Sequence, residues 1–297
     1  MPELPEVETI RIGLQKLIRG KRIESVDFDW QKSFPNSPSD IKQFLLGASV
    51  LEVSRRAKVL LISLTSGYSL VVHLKMTGQL VFVPKTKDGD SEDRFGAGHP
   101  NDSLVGALPD KSTRVTIVFH DQSKLFFNDQ RKFGWVRLIP SVEVPHIDFM
   151  KRVGPEPLEQ EFTQSVFESQ VMRRSKSRIK AVLLDQTVIA GIGNIYADES
   201  LWASKIHPET RVHDIPPKQL QILRQAIINV LTLSIDKGGS TNKNYVNAEG
   251  KKGSYMDFAH VYNRTNQPCD RCGNPIKKIR SASRGTHICT VCQKEPS

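Results

Sequence analysis

The chain opens with apolar residues at helical intervals, Leu4, Val7, Ile10, Leu14, Leu17 and Ile18, which predict an amphipathic helix over residues 4–18 with Pro5 in its first turn. Beyond Gly20 the period falls to two in Ile23-Glu24-Ser25-Val26-Asp27-Phe28-Asp29-Trp30. Short strand signals recur at 49–53, 59–64, 69–74, 79–83, 113–120, 124–128 and 135–139, separated by turns such as Ser66-Gly67 and Asp121-Gln122-Ser123. One short helix near 39–46 interrupts the series. So many brief strands at close intervals predict a β-sandwich or flattened barrel. The Gly-, Asp- and Pro-rich stretch between Pro84 and Thr113 reads as an inserted surface loop with no function attached.

Two prolines and a glycine in KRVGPEP, residues 151–157, break regular structure, and past them the period becomes helical. Helices are expected at 163–173, 176–186, 193–203 and 217–236, followed by a polar Gly/Asn/Lys segment at 237–258 and a module holding every cysteine. The predicted class is α+β. An N-terminal β-sandwich with flanking helices spans 1–150, a linker 151–160, a helical domain 161–260 and a cysteine module 261–297.

Composition changes the picture in two ways. The net charge of +10 in 297 residues is uneven, +2 over residues 1–150 and +8 over 151–297, an electrostatic footprint that suits nucleic acid. No apolar run approaches the roughly 18 residues of a membrane span, and the acidic first turns, with Glu3, Glu6 and Glu8, lack the basic and apolar regions of a signal peptide. A cytosolic or nucleoid protein is therefore expected. Four cysteines at Cys269-x2-Cys272-x16-Cys289-x2-Cys292 match two zinc knuckles. With all four positions filled by protein the zinc is structural. Lys277, Lys278, Arg280 and Arg284 lie between the knuckles, with no acid from Arg271 to Cys289, and MRRSKSRIK at 172–180 forms a second basic run. Both runs are expected on phosphates.

The loop Ala190-Gly191-Ile192-Gly193-Asn194-Ile195-Tyr196 leads into a helix whose free amides, with Asn194, can hold a phosphate. A dinucleotide fingerprint fails there, because Tyr196 stands where the third glycine belongs and no βαβ unit surrounds it. The N-terminus carries the most unusual chemistry. Removal of Met1 exposes Pro2 as a secondary amine with a pKa starting at roughly 8, so that a useful fraction is nucleophilic at neutral pH. Glu3 is adjacent and Glu6 one helical turn away, where a carboxyl can transfer a proton to a sugar ring oxygen.

PELPEVET at 2–9, Arg55-Arg56-Ala57-Lys58, His73-Leu74-Lys75-Met76-Thr77-Gly78, Asp129-Gln130-Arg131-Lys132-Phe133-Gly134, Val153-Gly154-Pro155-Glu156-Pro157, the 191–196 loop and the four cysteines occur in one order. Together they resemble the bacterial formamidopyrimidine-DNA glycosylase family over nearly the whole chain. The resemblance implies a helix-two-turns-helix domain with a lesion-capping loop at 237–258 and a four-cysteine zinc finger hairpin. It also implies a bifunctional DNA glycosylase and AP lyase, a monomer that excises 8-oxoguanine and formamidopyrimidines from damaged double-stranded DNA. Pro2 would attack the deoxyribose C1′, forming a Schiff base that leads to β,δ-elimination. Glu3 would be the general acid, Glu6 a supporting carboxylate and Lys58 a phosphate contact beside the lesion. The extruded nucleotide leaves a hole that Met76 and Phe133 would fill while Arg131 faces the orphaned base. His73, Asn194 and Arg284 complete the implied DNA contacts, and one zinc ion sits on Cys269, Cys272, Cys289 and Cys292.

Departures from the family pattern are Lys75 for glycine or arginine, Asn266 near a usual glycine, and Lys243 where an arginine is expected. A sister group acting on oxidised pyrimidines, endonuclease VIII-like, begins Pro-Glu-Gly-Pro, and Leu4 points away from it. A non-catalytic damaged-DNA-binding protein of the same fold is the other alternative, which the presence of Pro2, Glu3 and Lys58 disfavours.

Overall fold

The structure is a computed structural model that describes residues 1–85, 94–99, 101–240 and 255–296. Two compact units divide the chain, one comprising 1–151 with 238–254 and the other 152–237 with 255–297.

The first unit begins with helix α1, Leu4–Ile18, as the apolar spacing predicts. The strands are β1 (Ile23–Phe28), β2 (Val50–Arg56), β3 (Val59–Leu64), β4 (Tyr68–His73), β5 (Gly78–Val83), β6 (Phe95–Gly98), β7 (Thr113–Phe119), β8 (Lys124–Asp129) and β9 (Trp135–Pro140). They build two antiparallel sheets, β1-β7-β8-β5-β6 and β2-β3-β4-β9. Ile62, Leu70 and Val72 from one sheet and Leu80, Val115 and Phe127 from the other share a core with Val7, Ile10 and Leu14 of α1. The short helix near 39–46 is a three-residue turn, α2 (Pro38–Asp40), running into a π-helical turn at Ile41–Leu45.

One expectation is corrected. The stretch read as a surface loop supplies edge strand β6, paired to β5 with Gln79 opposite Gly98 and Phe82 opposite Phe95. Phe95 and Ala97 are buried, and Phe95 packs on Gly13 of α1, where any Cβ would lie 2.2 Å from its ring. Gly98 has φ +126°, and a Cβ there would stand 2.5 Å from the Gly78 carbonyl, so glycine is what lets β6 close onto the sheet.

A short helix α3, Asp148–Arg152, leads out of the first unit. The second contains α4 (Gln164–Met172), α5 (Ile179–Leu184), α6 (Asn194–Ala203) and α7 (Pro217–Asp236), then the antiparallel hairpin β10 (Lys277–Ser281) and β11 (Arg284–Ile288). Helix α7 is amphipathic and buries Leu220, Leu223, Ile227 and Leu231. Helix α6 differs, being buried at every position from Tyr196 to Trp202. The expected linker is tied down at its centre, since Gly154 N–H donates to the Gln186 carbonyl (2.8 Å) and Ala190 N–H to that of Pro155 (3.0 Å). Among the described residues no helix is long and apolar enough to cross a membrane.

Candidate functional site

The first turn of α1 is a capping box that locks the chain start. Glu3 is the N-cap and its side chain accepts the backbone N–H of Glu6, while Glu6 Oε2 accepts Glu3 N–H at 2.8 Å. Pro2, Glu3 and Glu6 are all buried. The second oxygen of Glu6 accepts Ser240 N–H at 2.7 Å, joining the helix start to residues 238–240. Lys243 and the rest of 241–254 lie outside the described residues.

Lys58 occupies the two-residue turn between β2 and β3, after Ala57 at φ +52°, and is 6% exposed. That hairpin is fastened to α1. Arg55 donates through Nε to Glu8 (2.9 Å) and through Nη1 to the Ala57 carbonyl (2.9 Å), and Glu8 also receives Arg11 at 2.7 Å. Helix α1 thus holds the lysine turn as well as the N-terminal carboxylates.

His73 ends β4, opposite Val59 and Trp135. Burial, followed by the positive charges of Lys75 and Lys58, brings its imidazole down to about 3. A neutral ring follows at physiological pH, and since Nδ1 accepts Lys75 N–H at 3.1 Å, the proton belongs on Nε2. His73 is therefore available as a neutral N–H donor to an acceptor such as phosphate.

Met76 and the pair Arg131 and Phe133 sit on two neighbouring turns, after β4 and after β8. Met76 is half-buried, whereas Phe133 is 53% exposed with the Arg131 guanidinium 4.7 Å from its ring centroid. A large apolar side chain held out in solvent beside a cation is an arrangement suited to stacking on a base.

In the second unit Gln186 braces the glycine loop, accepting Gly191 N–H (2.9 Å) and donating to the Ile192 carbonyl (2.7 Å). Asn194 starts α6 and donates from Nδ2 to the Gly285 carbonyl (3.0 Å), next to exposed Arg284 on β11. The two residues between β10 and β11, Ala282 and Ser283, both have positive φ, the geometry of a tight two-residue hairpin turn. Exposed Lys277, Lys278, Arg280 and Arg284 make this hairpin basic, as expected.

The 172–180 run is only partly available for phosphate. Lys180 is fully buried, its Nζ 2.6 Å from Asp198 Oδ1 and 2.5 Å from Thr286 Oγ1, and Asp198 Oδ2 accepts His287 N–H at 2.9 Å. Lys180, read as a phosphate contact, instead joins α5, α6 and β11. Lys180→Met should destabilise the protein by about 3–5 kcal/mol, because it strands the Asp198 charge in the interior. A urea melt of this variant measures the loss.

Glu199, next in α6, was also not foreseen. Its carboxylate accepts the backbone N–H groups of His260, Val261 and Tyr262 at 2.8–2.9 Å, while burial raises its pKa above the ordinary range. Two adjacent acids in a helix buried from Tyr196 to Trp202 were the available signal.

The four cysteine sulfurs lie within 4.8 Å of one another, with Cys272 and Cys289 at 3.4 Å and Cys269 and Cys292 at 4.0 Å. Tetrahedral zinc with bonds of about 2.3 Å needs sulfurs about 3.8 Å apart, so the cluster fits the ion. Burial would raise the Cys269 thiol, but N–H groups of Arg271, Trp202 and Cys272 bring it down to about 6. Burial and the neighbouring sulfurs push Cys292 up to about 12. Four such groups can ionise together only around a cation, which is the donor chemistry of structural zinc.

Three families match consecutive parts of the chain: the Formamidopyrimidine-DNA glycosylase N-terminal domain over residues 1–136, the Formamidopyrimidine-DNA glycosylase H2TH domain over 153–245, and the zinc finger found in FPG and IleRS over 266–294. The chain is 38% identical over 293 residues to the formamidopyrimidine-DNA glycosylase of Ligilactobacillus salivarius, covering 99% of each, and 39% identical to that of Halalkalibacterium halodurans, covering 99% of this chain and all of the relative. Among solved structures it is similar to Lactococcus lactis Fpg in complex with DNA containing an abasic site, with a TM-score of 0.84 and 35% identity over 99% of this chain and all of that one. Thermus thermophilus Fpg matches with a TM-score of 0.82 and 33% identity over the full length of both chains.

Proposed function

The chain belongs to the formamidopyrimidine-DNA glycosylase family, bifunctional DNA glycosylases and AP lyases of base-excision repair, and on that premise we propose that Pro2, freed by removal of Met1, is its nucleophile. What carries the assignment is the capping box, which holds two buried carboxylates on the helical turn that begins at the candidate amine.

The reaction uses these residues in sequence. Pro2 nitrogen attacks C1′ of the damaged purine nucleotide as the bond to the base breaks, and Glu3 delivers a proton to the ring oxygen so that the sugar opens. The product is an iminium. A terminal secondary amine has no proton left to lose after forming it, so the intermediate is cationic and draws electrons from the sugar through β- and then δ-elimination. Glu6 holds Glu3 and the 238–240 segment in place. Lys58 binds phosphate beside the lesion, and neutral His73 adds an N–H donor.

C1′ is out of reach inside the stack, so the nucleotide is extruded. Met76 and Phe133 fill the space, Arg131 faces the orphaned base, and Asn194 and Arg284 hold the backbone. The substrates are 8-oxoguanine opposite cytosine and ring-opened formamidopyrimidines. Zinc on Cys269, Cys272, Cys289 and Cys292 stabilises the basic hairpin, and the protein works as a monomer in the cytoplasm on nucleoid DNA.

Borohydride trapping tests this reading. With N-terminal mass confirming an exposed Pro2, a duplex holding 8-oxoguanine opposite cytosine should yield a covalent protein–DNA adduct and a strand cleaved on both sides of the lesion. Lesion binding without an adduct would leave a damage reader lacking the chemistry.

A further inference from the structure

We propose that Asp129 is a positioning residue for the void-filling side chains, a carboxylate latch that sets Met76, Arg131 and Phe133 before DNA arrives. The inference rests on the reading above that these three enter the base stack.

Asp129 ends β8 opposite Gly78, the first residue of β5, and is fully buried. Its Oδ1 accepts the Thr77 hydroxyl and the Arg131 N–H (3.2 Å), while Oδ2 accepts the Gly134 N–H at 2.6 Å. Thr77 closes a ring, because its hydroxyl oxygen also accepts Arg131 N–H at 3.1 Å. Both turns thereby hang on one side chain. Met76 precedes Thr77, and Arg131 and Phe133 lie between Asp129 and Gly134.

The turns need such a restraint. Lys75 at φ +51° and Lys132 at φ +57° occupy left-handed backbone that non-glycine residues hold only when their surroundings impose it. Gly134 permits the close approach, since a Cβ there would meet the Phe127 ring at 2.7 Å and the His73 carbonyl at 2.9 Å.

The latch is itself braced from behind by the segment that the sequence presents as an insertion, through Ser112 and His99, and by Arg114 of β7. Asp129 N–H donates to the Ser112 carbonyl (2.7 Å), Arg114 Nε donates to the Asp129 carbonyl (2.9 Å), and His99 N–H donates to the Gly78 carbonyl (3.1 Å). Arg114 also pairs with Asp29 and donates to the Lys111 carbonyl at 2.6 Å. A wedge already in its bound geometry loses less conformational freedom on entering the stack, and a preset Arg131 meets the orphaned base in one orientation.

Asp129→Asn tests the latch, because the near-isosteric amide must turn an NH2 toward at least one of the three donors now satisfied. The readout is the ratio of two rates, excision of 8-oxoguanine from duplex DNA and cleavage of an abasic site in single-stranded DNA, which has no stacked partner to replace. That ratio should fall roughly 10- to 100-fold. Thr77→Val, which removes one arm of the ring, should lower it in the same direction. In parallel, 2-aminopurine placed beside the lesion should lose the fluorescence rise that accompanies unstacking. An equal fall of both rates in the two variants would show a merely structural residue, and an unchanged ratio would remove the latch. Phe133→Ala separates this from the reading beneath it. If Phe133→Ala lowers the ratio and Asp129→Asn does not, the latch alone fails; if Phe133→Ala leaves the ratio unchanged, void filling fails and the latch with it.

Discussion

Replacing Pro2 with glycine should lower the rate of borohydride-trapped adduct formation on 8-oxoguanine duplex by roughly 10²-fold or more. Glycine leaves an amine at the chain start, so the variant keeps a nucleophile and changes only its class. A primary amine gives an imine that is neutral until it captures a proton, whereas proline's ring nitrogen can give only the iminium cation. Flexibility adds to the loss: glycine frees φ at the residue that leads into the capping box, where Pro2 is buried against a helix that starts two residues later. Affinity for undamaged duplex, which relies on phosphate contacts elsewhere, should not change. Trapping at the native rate would remove the Schiff-base role of Pro2.

Glu3→Gln should separate the two activities. Glutamine keeps an oxygen that can accept the Glu6 N–H, so α1 keeps its N-cap while losing the proton that opens the sugar. Loss of a general acid typically costs about 10²–10⁴-fold, and that loss should fall on base excision. A preformed abasic site already spends part of its time ring-opened, so the lyase step on such DNA should fall much less. Single-turnover rates on 8-oxoguanine and abasic duplexes, measured side by side, give the comparison. Equal losses on both would place Glu3 in the support of the helix and not in proton delivery.

Elements with a strong period were legible in the sequence. The spacing of Leu4, Val7, Ile10 and Leu14 gave α1 its bounds, and alternation gave β3 and β5 to within a residue. Strand β6 was not legible, because two of its four residues are glycines selected for close approach, and glycine and aspartate otherwise mark loops. In the candidate site, residues proposed for a chemical role at one position, such as Pro2 and Lys58, stood out through motifs, as did the four clustered cysteines. Those that act through a partner did not. Asp129 takes its meaning from Thr77, 52 residues away, and Lys180 from Thr286, 106 residues away. A lone acid or lysine carries no pattern until folding supplies the other half. Its sign in the sequence is indirect, a charge set within a run of mostly apolar residues, as with the adjacent Asp198 and Glu199 in α6.

The Lys180–Asp198 pair has a thermodynamic corollary for the metal. It reaches β11 through Thr286 and the His287 N–H, three and two positions before Cys289, and Asn194 reaches the same strand at Gly285. Metal loading and helix packing in this unit are therefore coupled equilibria. Occupancy of the four thiolates raises the stability of α5 and α6, and by reciprocity anything that loosens those helices raises the dissociation constant for zinc by the same factor.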